Sequence, residues 1–523
     1  MRRLILALML LGIGAADARA QTTAALLDSV QHASFLYFWN EANPANGLIR
    51  DRSTPTSPAS IASVGCGLSA ICVGIDHGWI GRDDGRVRVL TTLETFWTGT
   101  QGSGTSGIIG YKGLFYHWLD MTTATRTWNC ELSTIDTALL FAGILDCKQY
   151  FTGSDPAEIQ IRALADSIYY RADWEFVRNG QSGIKMGWLP TTGFSSFGLW
   201  QGYNEGMILY LLALGSPTHP VPTTTWNYWM SGYQWTTQYG QTYVIFPPLF
   251  GHQYSHCWVD FRYWQDAFMR FRGITYFENS RRATLAQRAY AIANPSHWTG
   301  YSDSLWGLTA SDVPTGYNAR GAPPPQNDDG TITPTAPIGS IAFAPEVVIP
   351  VLQNMVLNYP QAWGPYGLRD AFNVSVAPSW YDTDYLGIDQ GPIVLMIENY
   401  TLGSIWNRFM RNADILNGLQ RANFTPVLDV QPEPVASLPL QVWSAPNPFP
   451  RGTTIHFRLP AAGPVRLGIF DLAGRQVARL LDGTRTAGEH SVAWQAEDVP
   501  NGVYYARLES GGRVVTQRCV RLR

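Results

Sequence analysis

Apolar residues recur at helical spacing through most of the chain, and this pattern predicts one helix after another. Several of these segments are apolar on nearly every face, as helices enclosed between a core and an outer layer are. The segments are 24–39, 69–75, 87–97, 133–145, 156–170, 205–214, 281–293, 345–357 and 391–400. With weaker segments included, about a dozen helices are expected in residues 22–425. We therefore predict a mainly α first domain built as an (α/α)6 toroid, with two concentric rings of about six helices around a funnel.

The pattern changes near residue 426. Residues 426–440 are Pro-rich and predict a linker. In residues 441–523, short runs of alternating apolar and polar residues are separated by turn residues, and about seven strands are expected there. This pattern predicts a small C-terminal β-sandwich. The tail holds no cluster of Asp, Glu and His, so we expect the chemistry in the first domain.

The N-terminus has the features of an export signal. A basic start, a short apolar run and a final A-R-A predict a signal peptide over residues 1–20, removed before Gln21. Later apolar runs are too short for a transmembrane segment. We therefore expect the mature protein to be exported. The 6 Cys show no C-x-x-C pair, and no disulfide is predicted.

Composition points to a neutral, aromatic-rich molecule. Charged residues make up 15% of the chain, the formal net charge is -3, and aromatic residues make up 13%. This balance leaves no electrostatic footprint for nucleic acid, which is not expected as a partner. Many aromatic residues lie in polar, Gly-rich runs such as 97–107 and 195–203. They suit a cleft that stacks on the rings of an oligo- or polysaccharide and binds its hydroxyl groups, with a large core as the alternative interpretation.

The first cluster of candidate side chains leads from a loop into an apolar helix. It comprises His117, Asp120, Arg126, Glu131 and Asp136. Glu131 stands just before the helix, where a carboxylate is commonly only a charge partner of the helix N-terminus. Asp136 lies in the most apolar part of that helix, where a carboxylate needs a partner or a raised pKa. Both are therefore candidates for acid–base work.

A second candidate is Glu205 in Q-G-Y-N-E-G-M-I-L-Y, at the start of another apolar helix. It is either a first-turn acid favoured by the helix dipole or a carboxyl whose pKa is raised by apolar walls. The second possibility is what a general acid requires. Two carboxyl groups are enough for glycoside hydrolysis, because one protonates the leaving oxygen and the other activates water or attacks carbon.

The third stretch, F-G-H-Q-Y-S-H-C-W-V-D-F-R, has His252, His256 and Asp260 four residues apart. On a helix these three would share one face and could hold a metal. The alternative, which we favour, is one wall of a sugar cleft, where His252, Trp258, Asp260 and Arg262 bind hydroxyl groups. No metal or other cofactor is therefore expected.

A fourth cluster, W-Y-D-T-D-Y-L-G-I-D-Q-G-P, places Asp382, Asp384 and Asp389 among aromatic residues. Three acids could bind calcium, but their spacing is not that of an EF-hand loop. Carboxylates that alternate with aromatic side chains again suit a polyol.

At these clusters the chain resembles the glycoamylase-like (glucoamylase-related) family, which includes bacterial endo-β-1,2-glucanases and a domain of cyclic β-1,2-glucan synthases. The matching segments run in order across nearly the whole first domain. They are 37–52, 115–121, 131–145, 203–220, 252–262, 306–317, 329–340 and 380–392. The resemblance implies an (α/α)6 toroid that hydrolyses a glucan without metal, with two acids and inversion at carbon.

The resemblance also implies roles for individual residues. Glu205 becomes the general acid, and Glu131 or Asp136 becomes the base or the group that positions water. The expected substrate contacts are Asp120, Arg126, His252, Trp258, Asp260, Arg262, Asp312, Trp380, Tyr381 and Asp384. We thus predict an exported glycoside hydrolase of β-1,2-glucan. The alternatives are a non-catalytic surface glycan-binding protein, a glucan transferase or phosphorylase, and a metal-dependent enzyme using His252, His256 and Asp260.

The tail resembles the Ig-like sorting domain of type IX-secreted bacterial proteins and a related module of a flagellar hook-capping protein. The segments that match are 447–460, 469–477, 487–490 and 501–508. The resemblance implies that the tail is a sorting or anchoring domain recognised by secretion machinery. It also implies a bacterial protein that passes through the periplasm and is secreted or held at the cell surface. A plain accessory β-domain is the alternative.

Overall fold

The computed structural model describes residues 23–427, 440–459, 463–485, 488–511 and 513–522. The chain divides into two compact units, one within residues 1–428 and the other within residues 429–523. The predicted signal peptide and residues 428–439 of the predicted linker lie outside the described residues. In the part of the chain that is described, no helix is both long and apolar enough to cross a membrane.

The first unit is mainly helical, as predicted. Its α-helices are α1 Thr23–Asn40, α2 Ile61–Asp76, α3 Arg82–Thr98, α4 Thr134–Tyr150, α5 Pro156–Tyr170, α6 Trp174–Arg178, α7 Met207–Gly215, α8 Thr224–Met230, α9 Ala267–Arg272, α10 Tyr276–Ala293, α11 Thr335–Ile338, α12 Pro345–Asn358, α13 Gly387–Thr401, α14 Ser404–Phe409 and α15 Ala413–Arg421. Short 3-10 turns occur at Leu249–His252, Tyr254–Cys257, Phe261–Tyr263 and Pro360–Ala362.

Short antiparallel strand pairs hold the loops between these helices. The pairs are Ala59–Ser60 with Trp118–Leu119, Gly110–Tyr111 with Leu114–Phe115, Leu132–Ser133 with Gly187–Trp188, Trp235–Gln238 with Gln241–Val244, Trp264–Gln265 with Thr425–Pro426, Ser311–Val313 with Gly316–Asn318, Trp363–Gly364 with Gly367–Leu368, and Phe372–Asn373 with Trp380–Tyr381. Most are too short to produce a visible alternation, so the sequence pattern did not predict them.

The helices form two rings. The inner ring closes in the order α2, α4, α7, the turn Tyr254–Cys257, α13 and back to α2, with α11 packed on α13. Along the chain, each inner segment comes after an outer helix. The outer helices are α1, α3, α5, α8, α10 and α12. Inner helices such as α2 and α7 are buried on almost every face. This arrangement confirms the predicted (α/α)6 toroid.

Glycine allows α2 and α4 to come into close contact. A Cβ added at Gly143 would lie 2.0 Å from the carbonyl oxygen of Gly65, and a Cβ added at Gly65 would lie 2.2 Å from that of Leu139. The Sγ atoms of Cys72 and Cys147 lie 3.7 Å apart between the same two helices. Larger side chains at the two glycines would push apart the helices that carry one side of the site described below.

The topology also determines where a site can form. Because each inner helix is followed by an outer helix that returns the chain, the inner helices all begin at one end of the ring. Ser60 caps α2 there and Ser133 caps α4, each accepting a backbone N–H. The loops that enter the inner helices therefore bring their side chains to the same end of the molecule.

The tail is a β-sandwich with its own core. One sheet contains Gln441–Ala445, Gly452–Leu459 and Gly488–Gln495; the other contains Gly463–Phe470, Gln476–Arg485, Gly502–Ser510 and Arg513–Arg521. Burial alternates along Gly452–Leu459, which is the pattern that predicted these strands. Ile455, Phe457 and Trp494 are among the residues that fill the space within this unit.

The sequence allowed a helix over residues 252–260 that would place His252, His256 and Asp260 on one face, and the structure shows no such helix. Residues 252–260 do not form an α-helix: two 3-10 turns, Leu249–His252 and Tyr254–Cys257, take the place of the fourth inner helix, and Asp260 lies beyond them. The side chains of His252, His256 and Asp260 therefore do not share a helical face.

Candidate active site

Carboxyl groups cluster where the inner helices begin, and we call this cluster the well. Its side chains come from the segments that enter α2, α4, α7, α11 and α13. They are Asp51, Arg52, His117, Glu131, Asp136, Glu205, Asp312, Asp370, Asp382, Asp384 and Asp389. Five of the predicted site residues, Glu131, Asp136, Glu205, Asp312 and Asp384, are thus brought together by the fold.

One side of the well, which we call the paired wall, consists of His117, Glu131, Ser133 and Asp136. His117 Nδ1 lies 2.8 Å from Glu131 Oε1, and His117 Nε2 lies 3.6 Å from Asp136 Oδ2. The Ser133 hydroxyl donates to Asp136 Oδ2 at 2.5 Å. Burial lowers the pKa of His117, but the charge of Asp136 and the contact with Glu131 outweigh it and raise the pKa to about 9. His117 is therefore a cation between two carboxylates at neutral pH.

Glu205 stands beside this wall, two residues before α7. Its Oε2 atom is shielded from solvent and has no hydrogen-bond partner. Burial raises the pKa of Glu205 to about 7, and the charge of Asp136 adds to the shift. The apolar character of α7 is the local cause, because its first turn leaves the carboxyl group little contact with water.

The opposite side, which we call the crowded wall, consists of Asp312, Asp370, Asp382 and Asp389. Oxygen atoms of the first three lie within 4.8 Å of one another. Buried oxygens of Asp370, Asp382 and Asp389 have no hydrogen-bond partner.

Burial is the main cause of the raised pKa values on the crowded wall. It raises the pKa of Asp382 to about 6 and that of Asp389 to about 7. The neighbouring carboxylates add to the shifts, and the pKa of Asp370 rises well above its usual range. Asp370, Asp382 and Asp389 therefore bind protons more tightly than ordinary aspartates do.

Arg52 is the cation of the crowded wall. Its Nη1 lies 2.9 Å from Asp312 Oδ2 and 3.5 Å from Asp384 Oδ2. Ser53 and Thr54 also donate to Asp384, at 2.5 and 2.7 Å. The segment that enters α2 is thereby fixed to the segment that enters α13.

Asp51 interacts electrostatically with both walls, whereas Tyr317 interacts with the crowded wall and with Asp51. Burial raises the pKa of Asp51. The nearby charge of His117 lowers this pKa, and the charge of Asp136 raises it. Burial of the Tyr317 hydroxyl raises its pKa, and the charges of Asp389 and Asp370 raise it further. The residue as a whole is 55% exposed. The phenol therefore reaches toward the carboxyl groups from a hairpin at the rim.

Other predicted contacts lie in structural roles. Asp120 is exposed and accepts hydrogen bonds within its own turn. Arg126 donates to the carbonyl oxygens of Cys130 and Thr105.

The third predicted cluster is also placed outside the well. Asp260 and Arg262 pair with each other through two hydrogen bonds of 2.8 Å. His252 is fully buried, and burial lowers its pKa to about 3. Trp258 is 1% exposed and donates to the Ser69 hydroxyl within the core. We do not include these residues in the proposed site.

Trp380 and Tyr381 are half-buried beside Asp382 on a strand that pairs with Phe372–Asn373. Tyr381 stacks on Phe372 with ring centroids 5.7 Å apart. One face of the Tyr381 ring is therefore occupied by Phe372. The segment that carries Tyr381 continues into the crowded wall.

Two groups of described side chains have the geometry to hold a cation. They are His117 with Glu131 and Asp136, and Asp312 with Asp370 and Asp382. In the first group the imidazolium already occupies the position between the carboxylates. His252, His256 and Asp260 do not form such a group among the described residues.

Sequence reasoning missed several residues of the well. Asp51 and Arg52 stood in a matching segment, and Asp389 stood in the fourth cluster, but none of them was chosen as a site residue. The signal available for Asp389 was its position three residues into an apolar helix, the same signal that singled out Asp136. Asp370 carried no local signal, because only the fold brings it beside Asp312 and Asp389.

The toroid and its well define the chain as a helical-toroid protein with an acidic site at the head of the inner ring. Residues 198–413 match the model of the glycoamylase family, whose description is "Putative glucoamylase". The crystal structure of a protein of that description from Bacteroides uniformis ATCC 8492 is 34% identical, with a TM-score of 0.72; the match covers 78% of this chain and 99% of that one. The chain belongs to the glycoamylase family.

Two further similar proteins are named for an enzymatic activity. The structure of the endo-β-1,2-glucanase from Chitinophaga pinensis, with sophorotriose and glucose, is 29% identical with a TM-score of 0.71, and the match covers 78% of this chain and 99% of that one. Over 435 residues the chain is 30% identical to the exo β-1,2-glucooligosaccharide sophorohydrolase of Parabacteroides distasonis. That match covers 76% of this chain but spans only 58% of the relative's length.

The tail also has a match. Residues 445–521 match the secretion system C-terminal sorting domain. The predicted sorting domain is thereby confirmed, and the chain is an exported protein, secreted or held at the cell surface.

Proposed function

We propose that this protein is a glycoside hydrolase that cleaves β-1,2-glucan, with Glu205 as the general acid, Asp389 as the base and inversion at carbon. The observation that carries the proposal is the state of Glu205: a shielded carboxyl group with a pKa of about 7, beside a well of carboxyl groups in a helical toroid. The endo-β-1,2-glucanase and the sophorohydrolase named above act on β-1,2-linked glucose chains, which supports the substrate.

Glu205 suits the acid because its proton is present at neutral pH. A general acid works best when its pKa lies near the working pH. The unpartnered Oε2 of Glu205 has no protein acceptor for its proton, which leaves the proton available to the glycosidic oxygen. Activity should therefore fall as the pH rises above about 7, where Glu205 loses that proton.

The base is better placed on the crowded wall. The sequence predicted Glu131 or Asp136, but Glu131 is held by His117 and Asp136 by Ser133 and His117. Asp389 has a shielded, unpartnered oxygen and a pKa of about 7, so its ionised form accepts a proton readily. In this proposal water loses a proton to Asp389 and attacks the anomeric carbon, while Glu205 protonates the leaving oxygen.

The charge of the well favours water over phosphate as the acceptor. The two cations among the described residues of the well, Arg52 and His117, are already paired with carboxyl groups, so neither is free to bind a phosphate ion. The sugar hydroxyls, in contrast, find many hydrogen-bond acceptors. These features support hydrolysis above phosphorolysis, the alternative left open by the sequence.

The test is a product profile on defined glucans. Purified protein is incubated with linear β-1,2-glucan, laminarin, cellulose and starch, with and without phosphate. We expect reducing ends from β-1,2-glucan alone, no sugar phosphate, and an inverted anomer by NMR at early times. The Glu205→Gln variant should lose activity by about a thousandfold while still binding the substrate. If no glucan is cleaved and the variant binds none selectively, the proposal is wrong.

We further propose that the tail is the segment that the secretion machinery recognises. It has its own core and holds none of the residues of the well. A chain that ends at residue 428 should retain its hydrolytic activity after purification but fail to reach the outside of the cell. Cell fractionation distinguishes this from an accessory β-domain, whose removal would leave export unchanged.

A further inference from the structure

Trp128 is presented to solvent at the edge of the well. It lies in the loop between the strands Trp118–Leu119 and Leu132–Ser133, and 63% of it is exposed. A tryptophan side chain is rarely left so exposed, because its large apolar surface gains from burial.

The backbone at this point adopts a conformation that bulky residues disfavour. Trp128 has a φ of 53° and Asn129 a φ of 51°, both in the left-handed region. Such strain persists only where the surrounding structure imposes it, and it clusters at functional sites.

The surrounding loop does impose it. The backbone N–H of Thr127 donates to the carbonyl oxygen of Trp118 at 3.1 Å, and the N–H of Cys130 donates to Thr127 at 3.2 Å. Arg126 fixes the preceding turn through Cys130 and lies over the ring of Tyr116. The indole of Trp128 is therefore held outward by an anchored loop.

A continuous row of rings connects Trp128 to the paired wall. Its indole meets that of Trp118 edge to face, with centroids 5.5 Å apart. Trp118 stacks on His117 at 3.7 Å, and His117 bonds to Glu131. The exposed ring is thus one aromatic neighbour away from the groups of the well.

We propose that Trp128, backed by Trp118, is a platform on which a glucose ring of the glucan stacks, beside the paired wall and away from the bond that is cleaved. The inference rests on the proposed function, since the ligand is the same glucan. The C–H face of a pyranose suits an exposed indole, and an immobile loop loses little entropy when the sugar binds. The platform contributes to binding of the chain and leaves the proton transfers to Glu205 and Asp389.

The test measures binding of β-1,2-linked glucooligosaccharides by calorimetry in the inactive Glu205→Gln background. Adding Trp128→Ala should weaken binding about three- to tenfold, the range expected for one aromatic contact, and Trp128→Phe should restore most of it. The control is Phe271→Ala. Phe271 is 81% exposed on α9, which is not among the segments that carry the well, and its removal should leave binding unchanged.

The outcomes separate the two proposals. If Glu205→Gln binds β-1,2-glucan but Trp128→Ala in that background binds it equally well, the platform is wrong and the proposed function stands. If Glu205→Gln binds none of the oligosaccharides, the proposed function fails and the platform with it. In the otherwise wild-type enzyme, Trp128→Ala should raise KM for long chains with kcat and the pH profile unchanged. A fall in kcat with unchanged KM would also overturn the platform.

Discussion

The two walls of the well contain the same kind of residue in opposite electrostatic states. On the paired wall, His117 lies between Glu131 and Asp136, and Ser133 donates to Asp136. On the crowded wall, carboxyl groups lie within 4.8 Å of one another and several of their oxygens have no partner. The first arrangement lowers the pKa of Glu131, and the second raises the pKa values of Asp370, Asp382 and Asp389.

The difference teaches where proton transfer can take place. A carboxylate that is already bonded to a cation is a weak base, because protonation would cost it that interaction. A buried carboxyl group with a pKa near 7, such as Asp389 or Glu205, can be found in either state at neutral pH. We infer that the paired wall fixes the shape and charge of the well, while the acid–base work belongs to Glu205 and the crowded wall.

The largest expected effect comes from Asp389. The Asp389→Asn variant should lower kcat on β-1,2-glucan by about a thousandfold, as expected for loss of a general base. Its matched comparison on the other wall is Glu131→Gln, which should cost about tenfold, because that side chain positions His117 and does not transfer a proton. A larger loss from Glu131→Gln than from Asp389→Asn would place the base on the paired wall, where the sequence predicted it.

Removing the cation of the paired wall should cost stability. His117→Gln leaves Glu131 and Asp136 without their charged partner, and we expect a loss of about 2 kcal/mol in the free energy of unfolding at pH 6. His219→Gln is the control, since His219 is exposed and should change stability by less than about 0.5 kcal/mol. Urea unfolding of the first unit measures both.

The pH dependence sharpens this prediction. The pKa of His117 is about 9 in the folded protein, above its usual value of 6.5, so the protonated imidazole stabilises the fold. This contribution is complete below pH 6.5 and is lost as the pH rises through 9. The stability difference between the wild type and His117→Gln should shrink across that interval. A difference that stays constant from pH 6 to pH 9 would show that His117 acts through packing alone.

On the crowded wall, removal of a charge should raise the free energy of unfolding, whereas removal of the charge of His117 lowers it. Burial and neighbouring carboxylates raise the pKa of Asp370, so the folded protein loses stability relative to the unfolded chain as the pH rises above the usual value of 3.8. Asp370→Asn should therefore stabilise the protein at pH 8 by about 1 kcal/mol and leave it nearly unchanged at pH 3.5. Asp303→Asn, at an exposed side chain, is the control. Equal stability of Asp370→Asn and the wild type at both pH values would show that burial of the Asp370 charge among other carboxyl groups does not destabilise the folded protein.

The sequence predicted the toroid and much of the well for a physical reason. Long apolar helices carry a strong period, and Asp136 and Glu205 are polar residues placed where that period demands apolar ones. The 3-10 turns at Leu249–His252 and Tyr254–Cys257 could not be predicted in the same way, because their burial in the inner ring comes from tertiary packing. The sequence therefore did not reveal that His252 and Trp258 are buried.

The crowded wall was the harder part to predict. Asp312, Asp370 and Asp389 are far apart in sequence, and each one alone is an ordinary acid near a turn or helix start. Only the return of the chain to the same end of the ring brings them together. Their raised pKa values follow from that proximity and from burial, neither of which a local pattern reveals.

The smallest predicted effect tests how far the paired wall depends on a single hydroxyl. Ser133 and Ser60 hold equivalent positions as N-caps of α4 and α2, but only the Ser133 hydroxyl donates to a carboxylate of the well. Ser133→Ala and Ser60→Ala should each lower the free energy of unfolding by about 1 kcal/mol through loss of the cap.

Only Ser133→Ala should also lower kcat/KM, by about threefold, because Asp136 loses the bond that orients it toward His117 and Glu205. Steady-state kinetics beside thermal unfolding of both variants separates the two effects. If the two variants lose activity to the same small extent, the bond from Ser133 to Asp136 serves the helix alone. The orientation of Asp136 would then depend on His117.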